Sequence, residues 1–369
     1  MKGFAFSPRG FSDVCANELR EHGARILMLD ENAVEFEAGP VVVCQLVYSC
    51  QSVTKFILGG VWHNISSMKD VVSLAENLDV HPWIQEKKTF RASAVSEDAA
   101  FSSQDVMRCV GESIGKRITL EVDLSHPNVL FHVHIAHGKA YIGIDVVPFD
   151  ISKRAYKIFH AASSIKGTLG YCLVRWSGYD GKGILLDPCA GVGVIPIEAA
   201  LFASGKSPHF FKKDTFKLAE FGPLSGVDED NIYAECDKRT TEISTSIYCF
   251  DRLLPMVKAA QKNAKIAGVE KLITTMKCDL ELDTKLNKGE VDYIVTQPPA
   301  FTLNQDTEKK FFDVFFSAAE HVVNKNGTVA MLCVNIPLKE AEKYHFTLHE
   351  QRTVYGGKQK WLAAKFRKH

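Results

Sequence analysis

The chain reads as an α/β protein whose C-terminal half forms a mostly parallel sheet covered on both faces, preceded by smaller α+β units. Three observations lead there. After residue 180, nearly continuous apolar strands alternate with amphipathic helices, the pattern of a parallel sheet buried between helical layers. In the first third, strand and helix patterns alternate over shorter distances and the strands favour hairpin pairing. The length, 369 residues, exceeds the usual single domain, so two or three units are expected.

In order along the chain, "GFAFSP" reads as a strand and "FSDVCANELREHG" as a helix with Ser12 as its cap and Gly23 as its stop. "ARILMLD" and "AVEFEA" read as a hairpin around Glu31-Asn32, giving a first unit over residues 1–65. Over 66–150 a strand "KTFRASAV", a helix "SSQDVMRCVGESIGKRI" and two strands, "NVLFHVHIA" and "AYIGIDVV", follow, the last pair joined through His137-Gly138-Lys139. Residues 151–179 carry Lys153, Arg154, Lys157, Lys166 and Arg175 and no acidic residue. They read either as a linker with the next unit's first helix, its lysines solvated, or as a seam that contacts phosphates. Residues 180–369 hold the long alternation, closed by two strands around Tyr355-Gly356-Gly357 that read as an antiparallel edge hairpin.

Composition narrows the function. Formal net charge is zero and the pI is about 7.2, so any nucleic-acid contact has to be local. The ten cysteines contain no Cys-x-x-Cys pair and no neighbouring His grouping, which argues against zinc and against a disulfide framework; no metal is expected. No segment reads as a signal peptide and no apolar run approaches the ~18 residues of a membrane span. A soluble, cytoplasmic protein without membrane partners is the expectation.

In such a sheet, ligands bind outside the carboxyl ends of the strands. Four strand ends carry informative residues. Asp187-Pro188-Cys189-Ala190-Gly191-Val192-Gly193 is a turn whose glycines let backbone approach a ligand before a helix opens. Asp251 ends "SIYCFD", where a carboxylate can accept both hydroxyls of a ribose or can cap the following helix. Asp279 follows "ITTMKC" and suits an adenine amino group or plain solvation. The apolar run "VDYIVT" stops at Gln297-Pro298-Pro299, a stiff corner, because proline fixes its own φ and restricts the residue before it. A dinucleotide enzyme would want a third glycine where Ile195-Pro196 stand. The four together are similar to the cofactor pocket of a class I S-adenosylmethionine-dependent methyltransferase with a Rossmann-like sheet.

The likeness is closer than class. "DPCAGVGVIPIEAA" resembles the Asp-Pro-x-Cys-Gly-x-Gly-x-x-x-Ile-Glu-Ala-Ala signature of the THUMP-domain RNA methyltransferases, which make N2-methylguanosine in tRNA or ribosomal RNA. The long segment between glycine turn and ribose acid, and the joint "ISKRAYKIFHAASSIKGTLGYCLVRWSGY", are similar to that family's too. The resemblance implies an N-terminal ferredoxin-like domain over 1–65, a THUMP RNA-binding domain over 66–150, the basic joint over 151–179 and the methyltransferase domain over 180–369. It implies S-adenosylmethionine as cofactor, with Asp187, Gly191 and Gly193 framing its methionine end, Asp251 its ribose and Asp279 its adenine. Structured RNA, tRNA before rRNA, would be the partner, met by Lys153, Arg154, Lys157 and Lys166. The neutral charge favours a small structured RNA or a helper subunit. Glu198 also falls on a family position, and within a helix it reads as a structural partner.

The catalytic corner departs from the family. Where the family has Asn/Asp-Pro-Pro-Tyr/Phe, this chain has Gln297-Pro298-Pro299-Ala300. Gln297 keeps an amide oxygen one methylene farther out; Ala300 cannot stack on a base, and Phe301 stands one position late. Three readings follow: an amine methyltransferase with a shifted pocket, a different target atom, or an RNA-binding protein with a degenerate site. A cytosine-carbon methyltransferase would need a thiol nucleophile, and this loop has none.

Overall fold

Period-two apolar runs and amphipathic helices resolve into two sheets in the computed structural model, which describes residues 1–97, 100–147, 149–162, 164–240, 245–300, 305–356 and 359–369. The first is eight-stranded, in the order β2-β3-β1-β4-β8-β7-β5-β6. Its strands are β1 (Lys2–Phe6), β2 (Arg25–Leu29), β3 (Ala33–Glu37), β4 (Lys55–Asn64), β5 (Thr89–Ser96), β6 (Glu121–Val122), β7 (Val129–Ala136) and β8 (Lys139–Asp145). Between them run α1 (Ser12–Glu21), α2 (Pro40–Ser49), α3 (Met68–Glu76), the short α4 (His81–Ile84) and α5 (Ser103–Gly115). Both hairpins read from the sequence are present: β2 pairs β3 and β7 pairs β8, antiparallel.

The N-terminal units are fused rather than separate. Strand β4, not singled out in the sequence, pairs β1 on one side and β8 on the other. Two adjacent glycines hide it, because Gly59-Gly60 reads as a strand breaker. In the fold Gly59 sits at φ +59, where the register shifts, and a Cβ there would meet the Trp83 indole. Ser12 is the first helical residue and not the cap: Phe11 occupies the cap position without a side-chain bond. Burial of the Phe11 ring against Trp176, 6.0 Å away, sets that helix start instead.

The second sheet is seven-stranded, in the order β11-β10-β9-β12-β13-β15-β14. Strands β9 (Leu185–Asp187), β10 (Ile247–Asp251), β11 (Ile273–Lys277), β12 (Val291–Thr296) and β13 (Val323–Cys333) are parallel. Strands β14 (Phe346–Gly356) and β15 (Gln359–Lys368) form the expected antiparallel edge hairpin. Gly357, part of its expected turn, lies outside the described residues. The helices are α6 (Gly167–Trp176), α7 (Val194–Ser204), α8 (Glu229–Lys238), α9 (Leu254–Ala267), α10 (Gln305–Val322) and α11 (Leu338–Lys343). Parallel strands place their carboxyl ends, and the loops that follow, along one rim.

The segment between α7 and β10 joins the two halves. Its Phe216, Leu218, Leu224 and Tyr233 enter the same apolar cluster as α2 and the first sheet. Tyr233 stacks on Tyr48 at 4.5 Å, and the Tyr48 hydroxyl donates to Asp237 at 2.7 Å. A second tie is a buried polar knot: the Glu198 carboxylate accepts from Arg154 Nε at 2.8 Å, Tyr156 Oη at 2.7 Å and Gln51 Nε2 at 2.8 Å. Arg154 Nη2 reaches on to the Gln51 carbonyl at 2.6 Å. Gln51 belongs to the first unit, Arg154 to the joint and Glu198 to α7, so three parts of the chain close on one carboxylate.

Candidate active site

The tips of β9, β10, β11 and β12 converge on one cavity of about 260 Å³. Its walls include Asp187, Gly191, Asp251, Asp279, Gln297, Pro298 and Pro299, so the four strand ends singled out in the sequence share one space. Phe301 lies outside the described residues.

Asp187 is almost fully buried, at 1% exposure. Its Oδ1 accepts from Thr296 Oγ1 at 2.6 Å and from the Cys189 amide at 3.1 Å, which ties the β9 tip to the β12 tip. Burial pushes its carboxyl up to about 7, against the pull of those two hydrogen bonds and helped by the nearby Asp251 charge. A cation at this wall would favour the ionised form. The turn that follows is built on two left-handed glycines, Gly191 at φ +53 and Gly193 at φ +85. Gly191 lines the cavity, and a Cβ there would meet nothing within 4 Å. Gly193 is not a wall residue: a Cβ there would lie 2.9 Å from the Cβ of Ala260, so it lets α7 pack closely on α9. Its place in the spacing suggested a cofactor role; its geometry is that of helix packing.

Asp251 does not cap α9, whose cap position is Leu253. Its carboxylate instead accepts the Gly191 amide at 2.9 Å on Oδ2 and the Leu253 amide at 2.8 Å on Oδ1. Each oxygen keeps a lone pair, enough to receive two hydroxyls of a diol. Asp279 is exposed at the mouth, where Leu280, at φ +66 with its side chain buried, turns the chain. At the β12 tip Gln297 is half-buried, Pro298 buried, and Pro299 and Ala300 exposed.

Two wall features were not legible in the sequence. Phe311, a turn and a half into α10, borders the cavity beside the Pro-Pro corner and is stacked on Phe315 at 6.2 Å. In sequence it belongs to a helical apolar stripe. The other is the joint: Ala161, Ser164 and Ile165 line the cavity together with the glycine turn.

The basic residues of the joint do not gather into one patch. Arg154 is buried against Glu198 with both side chains at 0% exposure, so it offers nothing to a phosphate. Glu198 is thereby the structural partner its helical position suggested. The Lys157 ammonium folds back onto the carbonyls of Ile165 at 2.6 Å and Ser164 at 3.3 Å. Lys153 and Lys166 are exposed, and Lys166 borders a different cavity, of about 330 Å³, between the two sheets, with Lys55, His132, His134 and Thr168. Neighbours in sequence diverge here because the joint alternates inward and outward residues. Two cysteines, 189 and 278, border the candidate site, and burial raises both thiols, which keeps them protonated.

Comparison with known proteins decides the family. The RMKL-like methyltransferase domain matches residues 154–354, and the THUMP domain matches residues 66–145. The chain belongs to the RMKL-like methyltransferases. The tRNA (guanine(6)-N2)-methyltransferase of Methanocaldococcus jannaschii is 26% identical, over 94% of this chain and 95% of its own. Among solved structures, a protein from Clostridium difficile 630 superposes with a TM-score of 0.84 at 19% identity, over 100% of this chain and 98% of that one. The protein SMU.472, solved in complex with SAH, superposes at 0.77 with 17% identity over 100% and 98% of the two chains. In this RMKL-like methyltransferase the THUMP match runs from just before α3 to the end of β8, half of a sheet whose other half is the N-terminal unit. No helix among the described residues is long and apolar enough to cross a membrane.

Proposed function

We propose that this chain transfers a methyl group from S-adenosylmethionine to the exocyclic N2 of a guanosine in structured RNA, tRNA in preference to rRNA. The observation that carries the reading is the convergence of Asp187, Gly191, Asp251, Asp279 and the Gln297-Pro298-Pro299 corner on one cavity. The end-to-end similarity to a tRNA guanine-N2 enzyme supports the RNA and the atom.

The residues present fit the cofactor. Asp251 would take the ribose diol, Asp279 the adenine amine, and Asp187 would supply a carboxylate to the cationic methionine end; all three line the one cavity. S-adenosylmethionine supplies an electrophilic methyl on a sulfonium. What the chain adds is alignment: the guanine amine is a weak nucleophile because its lone pair spreads into the ring, and acceptors on its hydrogens restore reactivity. The Gln297 amide oxygen and the Pro298 carbonyl are the acceptors assigned here, held by two prolines that remove backbone freedom. The extruded base costs a few kcal/mol to flip. Lys153 and Lys166, both exposed, remain for phosphate contact; Arg154 and Lys157 do not. The proposed setting is cytoplasmic, and the chain's neutral charge suits a small structured RNA or a helper subunit.

The test is transfer of tritiated methyl onto tRNA and onto rRNA, followed by nucleoside analysis, with N2-methylguanosine as the expected product. Gln297→Ala is expected to lower kcat roughly a hundredfold while moving the KM for S-adenosylmethionine by less than about threefold. An unchanged kcat would remove Gln297 from the mechanism. Ala300 favours a second reading, a non-catalytic RNA-binding protein, since it offers no ring to the base; binding of S-adenosylhomocysteine with no methyl incorporation would select it.

Asp187 makes cofactor affinity depend on pH. Its carboxyl sits at about 7 in the free protein, and a bound cation lowers that value, so binding releases a proton below neutrality. Affinity for S-adenosylmethionine is therefore expected to rise between pH 6 and about 7.5 and then level off. Calorimetry in buffers of different ionisation enthalpy measures the released proton; in Asp187→Asn the pH slope should vanish.

A further inference from the structure

A loop of the joint lines the cavity together with the glycine turn, and a buried side chain outside the cavity holds it. Asn263, on α9, has 0% exposure and uses both of its amide donors and one lone pair of its carbonyl oxygen. Its Oδ1 accepts the Phe159 amide at 3.1 Å, and its Nδ2 donates to the Phe159 carbonyl at 3.0 Å and to the Val192 carbonyl at 3.0 Å. Phe159 belongs to the loop, and Val192 to the glycine turn that borders the same cavity. Asn263 is not itself a wall residue. It stitches two walls together from outside the cavity.

The loop's far end is closed by Lys157, whose ammonium, half-buried, spans to the Ile165 and Ser164 carbonyls. Burial lowers that ammonium's pKa, so the position has a cost that its two acceptors offset. Ser164 is pinned in turn, its amide and hydroxyl both donating to Ala161 O at 3.0 and 2.8 Å. Ala161, Ser164 and Ile165 are the loop's contributions to the wall. Only a side chain with two donors and one acceptor at this reach can bridge Phe159 and Val192: aspartate lacks the donors, and leucine has neither.

We infer that Asn263 and Lys157 are positioning residues for the cofactor, holding Phe159, Ala161, Ser164 and Ile165 of the joint in place beside the glycine turn so that the cavity is formed before the cofactor arrives. The inference rests on the S-adenosylmethionine reading above. A loop fixed in advance loses no conformational freedom on binding; a released one must be ordered by the ligand, which shows as weaker affinity and faster escape.

The experiment uses the whole chain, with S-adenosylhomocysteine as probe, by calorimetry and stopped-flow dissociation. Lys157→Met is expected to weaken binding about tenfold and Asn263→Leu about thirtyfold, both through faster dissociation. Because both hold one loop, the double variant should be within about twofold of Asn263→Leu alone. The KM for S-adenosylmethionine should rise in the same ratio, while kcat at saturating cofactor and the Kd for tRNA stay within about twofold. Lys157→Met, on a half-buried surface position, carries the test should the buried Asn263→Leu fail to fold. Analogue affinity unchanged in Lys157→Met overturns the inference, as do analogue and tRNA affinities that fall together with the melting temperature. A parent protein that binds no S-adenosylhomocysteine overturns the cofactor reading and this inference with it, whereas parent binding with unaltered variants overturns this inference alone.

Discussion

Asp251→Ala is expected to abolish measurable binding of S-adenosylhomocysteine and, with it, methyl transfer. The substitution removes the proposed acceptors of the ribose diol, and it also leaves the Gly191 and Leu253 amides without the carboxylate that now holds the glycine turn against the β10 tip. Hydrogen bonds to a charged group contribute about 1.5–3 kcal/mol each, so losing the two to the diol alone weakens binding by roughly two to four orders of magnitude. Asp251→Asn should fail nearly as badly, because one carboxylate oxygen becomes an amide NH2, a donor facing a backbone N–H. Circular dichroism on both variants separates loss of binding from loss of fold. Binding within threefold of the parent by Asp251→Ala would contradict the ribose assignment.

The second large effect is on stability. Glu198→Ala leaves the Arg154 guanidinium, the Tyr156 hydroxyl and the Gln51 amide facing an empty space where water does not reach. Breaking a buried ion pair from one side costs about 3–5 kcal/mol, since the remaining charge is buried without a partner. Denaturant unfolding should show that loss for Glu198→Ala, and a similar one for Arg154→Met. The double variant Glu198→Leu/Arg154→Met should cost less than either single change, because no uncompensated charge is left behind. Costs below 1 kcal/mol for the single variants would mean that the knot does not fasten the N-terminal unit to α7. Gln51 makes this more than a local matter, for it brings the N-terminal unit onto a carboxylate of α7, the helix that follows the glycine turn.

Much of the site was legible in the residues. A glycine turn, two strand-end acids and a Pro-Pro corner on successive strands are one-dimensional marks of a parallel sheet, where consecutive loops must fall along one rim. The sequence was less able to rank neighbours by burial. Lys153, Arg154, Lys157 and Lys166 look alike as a charge cluster, yet one is sealed against Glu198 and one is folded back on its own loop. Gly191 and Gly193 look alike as a motif, yet only the first borders the cavity. Strand β4 was hidden by Gly59-Gly60, and Asn263 by its ordinary place in an amphipathic helix, with no local signal that its amide would bridge two distant carbonyls.

By itself, then, the sequence determined the parallel sheet, its edge hairpin and the residues at the strand tips, because these depend on periodicity, proline and glycine geometry, and short-range spacing; the family it showed only as a resemblance of motifs. Only the tertiary structure decided that the two N-terminal units form a single sheet, that Arg154 is a fastener, and that a joint loop closes the cavity. Those facts depend on which groups meet across 44 to 104 residues of chain, where burial and hydrogen-bond partners are settled by packing rather than by neighbours in sequence.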